Sequence, residues 1–275
     1  MIISGAWRRR MTLLILTFGM VGGSVGAAQA SDWPGKVSLE DAARAFDDAA
    51  LRVDTAPAVE LARWTRPIFL AVADDSGMSS YAAEVEASVR FMASVARVSV
   101  TRVAWGDSRA NFLVRPSTVQ SSGKSPCRSA VDWTDLGHMV RAEIYVNLSN
   151  PGRVTRCINH EVLHGFGFRG HPHASFSVLS YKYAAQAQLT DTDRLMLETL
   201  YDPRLKPGTK VSAASPVACG ILAEKVRASA EETAALCTGR GTAPRRGLVA
   251  FAGSRPTEQA AHPPSLQPGY REGGM

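Results

Sequence analysis

Residues 160–171 read His-Glu-Val-Leu-His-Gly-Phe-Gly-Phe-Arg-Gly-His. On a helix, residues four apart differ by about 40° in azimuth and sit one turn above the other. His160 and His164 are so spaced, and two imidazoles placed that way can each bring a ring nitrogen to one zinc ion at about 2.0–2.1 Å. Glu161 lies about 100° further round the helix, better placed to reach a water on the metal than to bind the metal itself. The chemistry such a set supports is hydrolysis of a peptide bond by an activated water. A solvated helix face could carry the same five residues, so the next residues along the chain carry weight. Gly167 stands where the helix must end sharply, and glycine takes the positive φ that such an end requires. His171 comes four residues later and is the expected third ligand, with His173 on the same loop as the alternative. Structural zinc sites fill four positions with protein, whereas catalytic sites use three and a water. Three histidines and a glutamate fit the second pattern.

Downstream, Ser177-Val178-Leu179-Ser180-Tyr181 resembles the Ser-x-Met-x-Tyr turn of the metzincins, a clan of zincin-type zinc endopeptidases. The clan spacing is H-E-x-x-H-x-x-G-x-x-H. Here one extra residue precedes the last histidine, so that Gly170 occupies the ligand position and His171 comes after it. Leu179 replaces the turn methionine, a residue of similar volume. The resemblance implies Zn²⁺ on His160, His164 and His171, with Glu161 as general base. The metal would polarise the scissile carbonyl and lower the pKa of its water toward about 7. Glu161 would carry the water's proton to the leaving amine. Tyr181 would stabilise the oxyanion, or else be a core tyrosine with a satisfied hydroxyl. The run from Cys157 to Thr209, with Leu-Thr-Asp-Thr-Asp-Arg and Leu-Tyr-Asp-Pro-Arg-Leu-Lys-Pro-Gly, is also similar to a family of secreted bacterial proteins. Its members resemble zinc proteases around a His-Glu segment. The reading is an exported zinc metallopeptidase acting on a peptide or protein substrate. The alternative is a non-catalytic zincin-fold module that binds a partner of the cell envelope; the extra residue and the missing methionine favour it, and the intact Glu161 opposes it.

The elements that would position these residues come from periodicity. Residues 39–52 show helical apolar spacing behind an acidic start. Residues 67–73 read as a buried strand, 74–77 as a turn, and 80–96 as a helix. Strands are expected at 98–104, at 110–115 (stopped by Pro116) and at 143–148. The metal helix is expected over 154–166. Loop 116–142 is long and polar, as loops flanking a cleft often are. Helices are expected near 190–201 and 217–236. Asp191 and Asp193 begin the first of these, where carboxylates stabilise the helix dipole. His138 reads as a surface residue. The fold class is α+β and zincin-like: a mixed twisted sheet with two helices in an upper lobe (about 36–168) and a smaller, mainly helical lower lobe (about 169–238).

The amino terminus reads as an export signal over residues 1–30. Arg8, Arg9 and Arg10 precede an apolar run from Met11 to Val25, and Ala28-Gln29-Ala30 is a small-x-small cleavage site. The apolar run is short of the roughly 18–20 residues a membrane span needs. The adjacent arginines leave the twin-arginine route open beside the general one. Cleavage would remove three arginines and halve the formal net charge of +6. The remaining basic residues are scattered, without aromatic interleaving, so no nucleic-acid partner is expected. Four cysteines, Cys127, Cys157, Cys219 and Cys237, fall in the exported part, periplasmic or secreted. An even count in an oxidising compartment favours two disulfides. Three pairings are possible; Cys127–Cys157 with Cys219–Cys237 is preferred, tying the long loop to the metal helix and stapling a helical segment. Residues 239–275, rich in Gly, Pro, Arg, Ser and Gln and including His262, read as a disordered tail.

Overall fold

A buried helix end carries the His-Glu-His segment, and the sheet beneath it determines where it points. The computed structural model describes residues 37–53, 56–74, 77–117 and 127–238. The expected signal, tail and His262 lie outside the described residues.

Seven strands and six α-helices occur among the described residues. In chain order they are α1 (Leu39–Ala50), β1 (Arg52–Val53), β2 (Ala56–Pro57), β3 (Ile68–Val72), α2 (Ala82–Ala96), β4 (Val100–Arg102), β5 (Phe112–Pro116), β6 (Arg128–Trp133), β7 (Met139–Val146), α3 (Pro151–Gly165), α4 (Asp191–Leu200), α5 (Val211–Val226) and α6 (Ala230–Cys237). A 3-10 turn, Ser79–Tyr81, leads into α2. The main sheet has the order β4-β3-β5-β7-β6. Its first four strands are parallel and β6 is antiparallel to β7. The sheet is therefore mixed, and the fold is α+β as expected. Helix α2 packs on β3 and β4, α3 packs on β6 and β7, and the two helices touch. Helices α1, α4 and α5 pack on one another, and α4 also meets α2.

Local chemistry accounts for the helix ends. Ser38 caps α1 by accepting from Asp41 N, with Glu40 and Asp41 in the first turn. Pro151 starts α3, where its missing N–H costs nothing. Thr190 and Asp193 form a capping box at the start of α4. Gly165 lets the end of α3 lie close on the sheet, since a Cβ there would come within 2.7 Å of the Phe112 ring. Trp64 Nε1 donates to the Gly165 carbonyl at 2.8 Å, and Trp64, Phe112 and Phe166 form a buried aromatic cluster. Burying each such ring contributes about 1.5–3 kcal/mol.

Three expectations need correction. Loop 116–142 contains strand β6, and β7 begins at Met139 rather than at residue 143. Residues 128–133, Arg-Ser-Ala-Val-Asp-Trp, include no fully buried position, because β6 is an edge strand. Its order comes from pairing with β7, so no apolar alternation marks it. The single helix expected over 217–236 is two helices. Arg227, at φ +58°, ends α5, and Ser229 caps α6. Helix α5 also starts earlier than expected, at Val211, with Pro216 inside it. At that position the proline removes one intrahelical hydrogen bond and crowds the carbonyl four residues earlier. Finally, β1 and β2 form a short antiparallel pair that periodicity does not reveal.

Both preferred disulfides are present. Cys127–Cys157 joins the start of β6 to the middle of α3, and Cys219–Cys237 joins α5 to α6. Among the described residues no helix is long and apolar enough to cross a membrane.

Candidate metal centre

The last turns of α3 are buried throughout, with His160, Glu161 and His164 exposed by only 5%, 5% and 8%. After Gly165 the helix closes through Gly167 N–H donating to His164 O at 2.9 Å, with Gly167 at φ +108°. The glycine is required twice over, since a Cβ there would also meet the Ala62 carbonyl at 2.2 Å. The chain then presses against the end of α1. Arg169 N–H and Gly170 N–H both donate to Ala49 O at 2.9 Å. A Cβ on Gly170 would lie 2.1 Å from the Asp48 carbonyl. Gly170 thus serves as a contact between loop and helix, and His171 after it comes round to the end of α3. His173 is exposed and stays outside the group.

Nε2 of His160, His164 and His171 form a triangle with every side 3.2 Å. His160 Nδ1 donates to the Val178 carbonyl at 2.9 Å, and His164 Nδ1 donates to the Phe168 carbonyl at 2.7 Å. A carbonyl only accepts, so in both rings the proton sits on Nδ1 and Nε2 presents a lone pair. Two lone pairs facing at 3.2 Å repel unless a cation lies between them. Tetrahedral coordination at about 2.0–2.1 Å sets ligand nitrogens about 3.3–3.4 Å apart. The triangle fits a metal ion on both counts. Imidazoles oriented through Nδ1–H to a carbonyl are the usual outer support of such a site. Burial pushes the His160 pKa well below its ordinary value, and the charges of His164, His171 and Arg156 add to this against the Val178 hydrogen bond. His171 is pushed down to about 3, first by burial and then by His164, His173 and Arg156. Both rings are therefore neutral, as ligands must be.

Turn 177–181 is built from three sides. Ser180 N–H donates to Ser177 O at 3.0 Å, closing the turn. Asp193 accepts from Ser177 Oγ at 2.5 Å and from Val178 N–H at 3.1 Å. Arg156, four residues before His160 on α3, donates to the Val178 and Ser180 carbonyls at 3.4 and 3.2 Å. Leu179, within the turn, is fully buried. Tyr181 is 63% exposed and stacks on His171, with ring centroids 4.3 Å apart at 22°. It is not a core tyrosine; it lines the same cleft as the histidines.

That cleft has a volume of about 390 Å³ and is walled by β6 on one side. Glu161 opens into it beside the three imidazoles, and the Ser129 hydroxyl of β6 hydrogen-bonds its carboxylate. Burial raises the Glu161 pKa, while His164, the Ser129 hydrogen bond and Arg156 act against the rise. His138 lies elsewhere, its Nδ1 2.8 Å from Thr65 Oγ1 in the turn after β6.

Helical spacing from His160 could have pointed to Arg156. Asp193 reads in the sequence only as a helix-dipole residue, yet it also ties the turn. Nothing in the sequence pairs Ser129 with Glu161, since its strand leaves no periodic signal.

Fold and site together define a mixed α+β domain with a buried three-histidine cluster able to hold a metal ion. The model of a family of proteins of unknown function, DUF2927, matches residues 40–218, and the chain belongs to that family. The match runs from α1 into α5 and includes every residue of the cluster. No curated protein matches the chain.

Proposed function

We propose that this protein is an exported zinc-dependent peptidase with a zincin-like catalytic domain. The observation that carries the reading is the triangle of Nε2 atoms with Glu161 beside it in one cleft. His160, His164 and His171 would hold the ion, and three nitrogen ligands with one position left open suit catalytic zinc. Zinc held there would supply Lewis acidity and acidify a water toward neutral pH.

The chain's own residues do the rest. Glu161 accepts the water's proton on its carboxylate and delivers it to the leaving amine. Its raised pKa brings it nearer the range in which a base works at neutral pH. The Ser129 hydroxyl holds that carboxylate toward the cleft. Among the described residues no strand pairs with the outer edge of β6, so its backbone can receive an extended peptide. Tyr181, exposed beside His171, serves as a donor to the developing oxyanion. Two disulfides suit an oxidising compartment, periplasmic or extracellular.

The test is turnover of a mixed peptide library by zinc-loaded protein. Cleavage should occur, cease with a chelator, and fall by about 10²–10⁴-fold in Glu161→Gln, which keeps the shape but removes the base. The variant should retain its zinc. A zinc-loaded native protein that cleaves nothing, and is indistinguishable from Glu161→Gln, would replace the enzyme with a binding module of the cell envelope.

A further inference from the structure

Arg169 lies between two members of the histidine group, His164 and His171, and its side chain lines the same cleft. Its guanidinium is poorly matched by its surroundings. Nη2 donates to the Glu60 carbonyl, and Nε is buried without a hydrogen-bond partner. Among the described residues Glu60 is the one carboxylate whose charge bears on it, and that carboxylate is paired with Lys210 at 3.2 Å. The guanidinium carbon stands 5.0 Å from the Trp133 ring centroid, a contact that confines it against the wall of β6. Trp133 itself is 37% exposed and also lines the cleft.

The charges of the cleft point the same way. Among the described residues its lining includes Arg128 and Arg169 but one carboxylate, Glu161, which is engaged with Ser129. Arg128 is drawn toward Tyr145, 4.1 Å from that ring, and Arg156 toward the Val178 and Ser180 carbonyls, whereas Arg169 lines the cleft against Trp133. A part-buried guanidinium whose neighbouring carboxylate is already paired with a lysine gains from a further anion. We propose that Arg169 is a specificity residue that receives a carboxylate of the substrate beside the metal centre. The carboxylate comes from an acidic side chain next to the scissile bond or from the peptide's own C-terminus. This subsite rests on the peptidase reading.

The experiment measures peptide affinity by calorimetry on zinc-loaded Glu161→Gln protein, so that ligands are not consumed. Four peptides of one length are compared: an internal Glu or Gln, each with a free or an amidated C-terminus. Carboxylate-bearing peptides should bind about 10- to 100-fold more tightly than the fully neutral one, as for a charge-assisted hydrogen bond. Preference for internal Glu identifies a side-chain source; preference for the free terminus identifies the α-carboxylate. Adding Arg169→Gln should abolish the preference and leave affinity for the neutral peptide unchanged, whereas Arg169→Lys should retain part of it. Equal affinity for all four peptides in the Arg169 background overturns the subsite alone, as does an Arg169→Gln variant that weakens all four alike. No binding of any peptide overturns the peptidase reading and the subsite with it.

Discussion

Asp193 accepts a hydrogen bond from the backbone N–H of Val178 at 3.1 Å. The carbonyl of that same residue accepts from His160 Nδ1 at 2.9 Å. The start of α4 is thereby connected to the orientation of the His160 ring on α3. The Asp193 carboxylate also meets Ser177 Oγ, Thr190 N–H and Thr190 Oγ1 at 2.5, 2.8 and 2.8 Å. Asp193→Ala leaves several buried donors without acceptors and should destabilise the fold by about 3 kcal/mol or more. Asp193→Asn keeps the shape but presents an amide to some of those donors. It should weaken metal affinity by about tenfold, the low end for outer-shell changes. Chelator competition and thermal unfolding measure the two effects, and unchanged metal affinity in both variants would disconnect Asp193 from the site.

The histidine triangle predicts the metal content of single variants. Native protein should carry about one zinc per chain, and His160→Ala, His164→Ala or His171→Ala should lose it, because two imidazoles seldom hold zinc tightly. His173→Ala should keep it, since that side chain is exposed and outside the group. Elemental analysis decides, and zinc lost from His173→Ala but kept in His171→Ala would reverse the ligand assignment.

Gly170 has no room for a side chain against the Asp48 carbonyl. Gly170→Ala must push the loop away from α1 and should cost about 1–3 kcal/mol, as overpacking does. Because His171 is the next residue, zinc affinity should fall in the same variant. A variant with native stability and affinity would mean that the loop moves freely, and the account of Gly170 would fail.

The Cys127–Cys157 bridge fastens β6, which carries Ser129, to the helix that carries Glu161. The double variant Cys127→Ala/Cys157→Ala should lose about 2–5 kcal/mol of stability. On the peptidase reading, hydrolysis should suffer more than zinc content, because the bridge fixes the wall of the cleft against α3, whereas His160 and His164 lie on α3 itself. Activity and zinc lost in equal proportion would argue instead for general unfolding.

The three-histidine cluster, Glu161 beside it and the turn at Gly167 are legible from the chain because they are local. A helical period puts His160, Glu161 and His164 in relation, and one glycine with a short loop brings in His171. That the cysteines form two disulfides is legible from their even count, while the pairing, one preference among three, is shown by the structure. Tertiary structure alone decided the rest. Strand β6 has no buried face to leave an apolar pattern, so only its ladder with β7 reveals it, and with it the contact of Ser129 with Glu161. Gly170 explains itself only when the end of α1, some 120 residues earlier in the chain, is seen against it. Asp193 can be read as a helix cap, but its hold on Val178 depends on α4 packing beside the turn. Contacts between residues distant in sequence leave no periodic trace, because each is satisfied by a partner whose position the fold alone supplies.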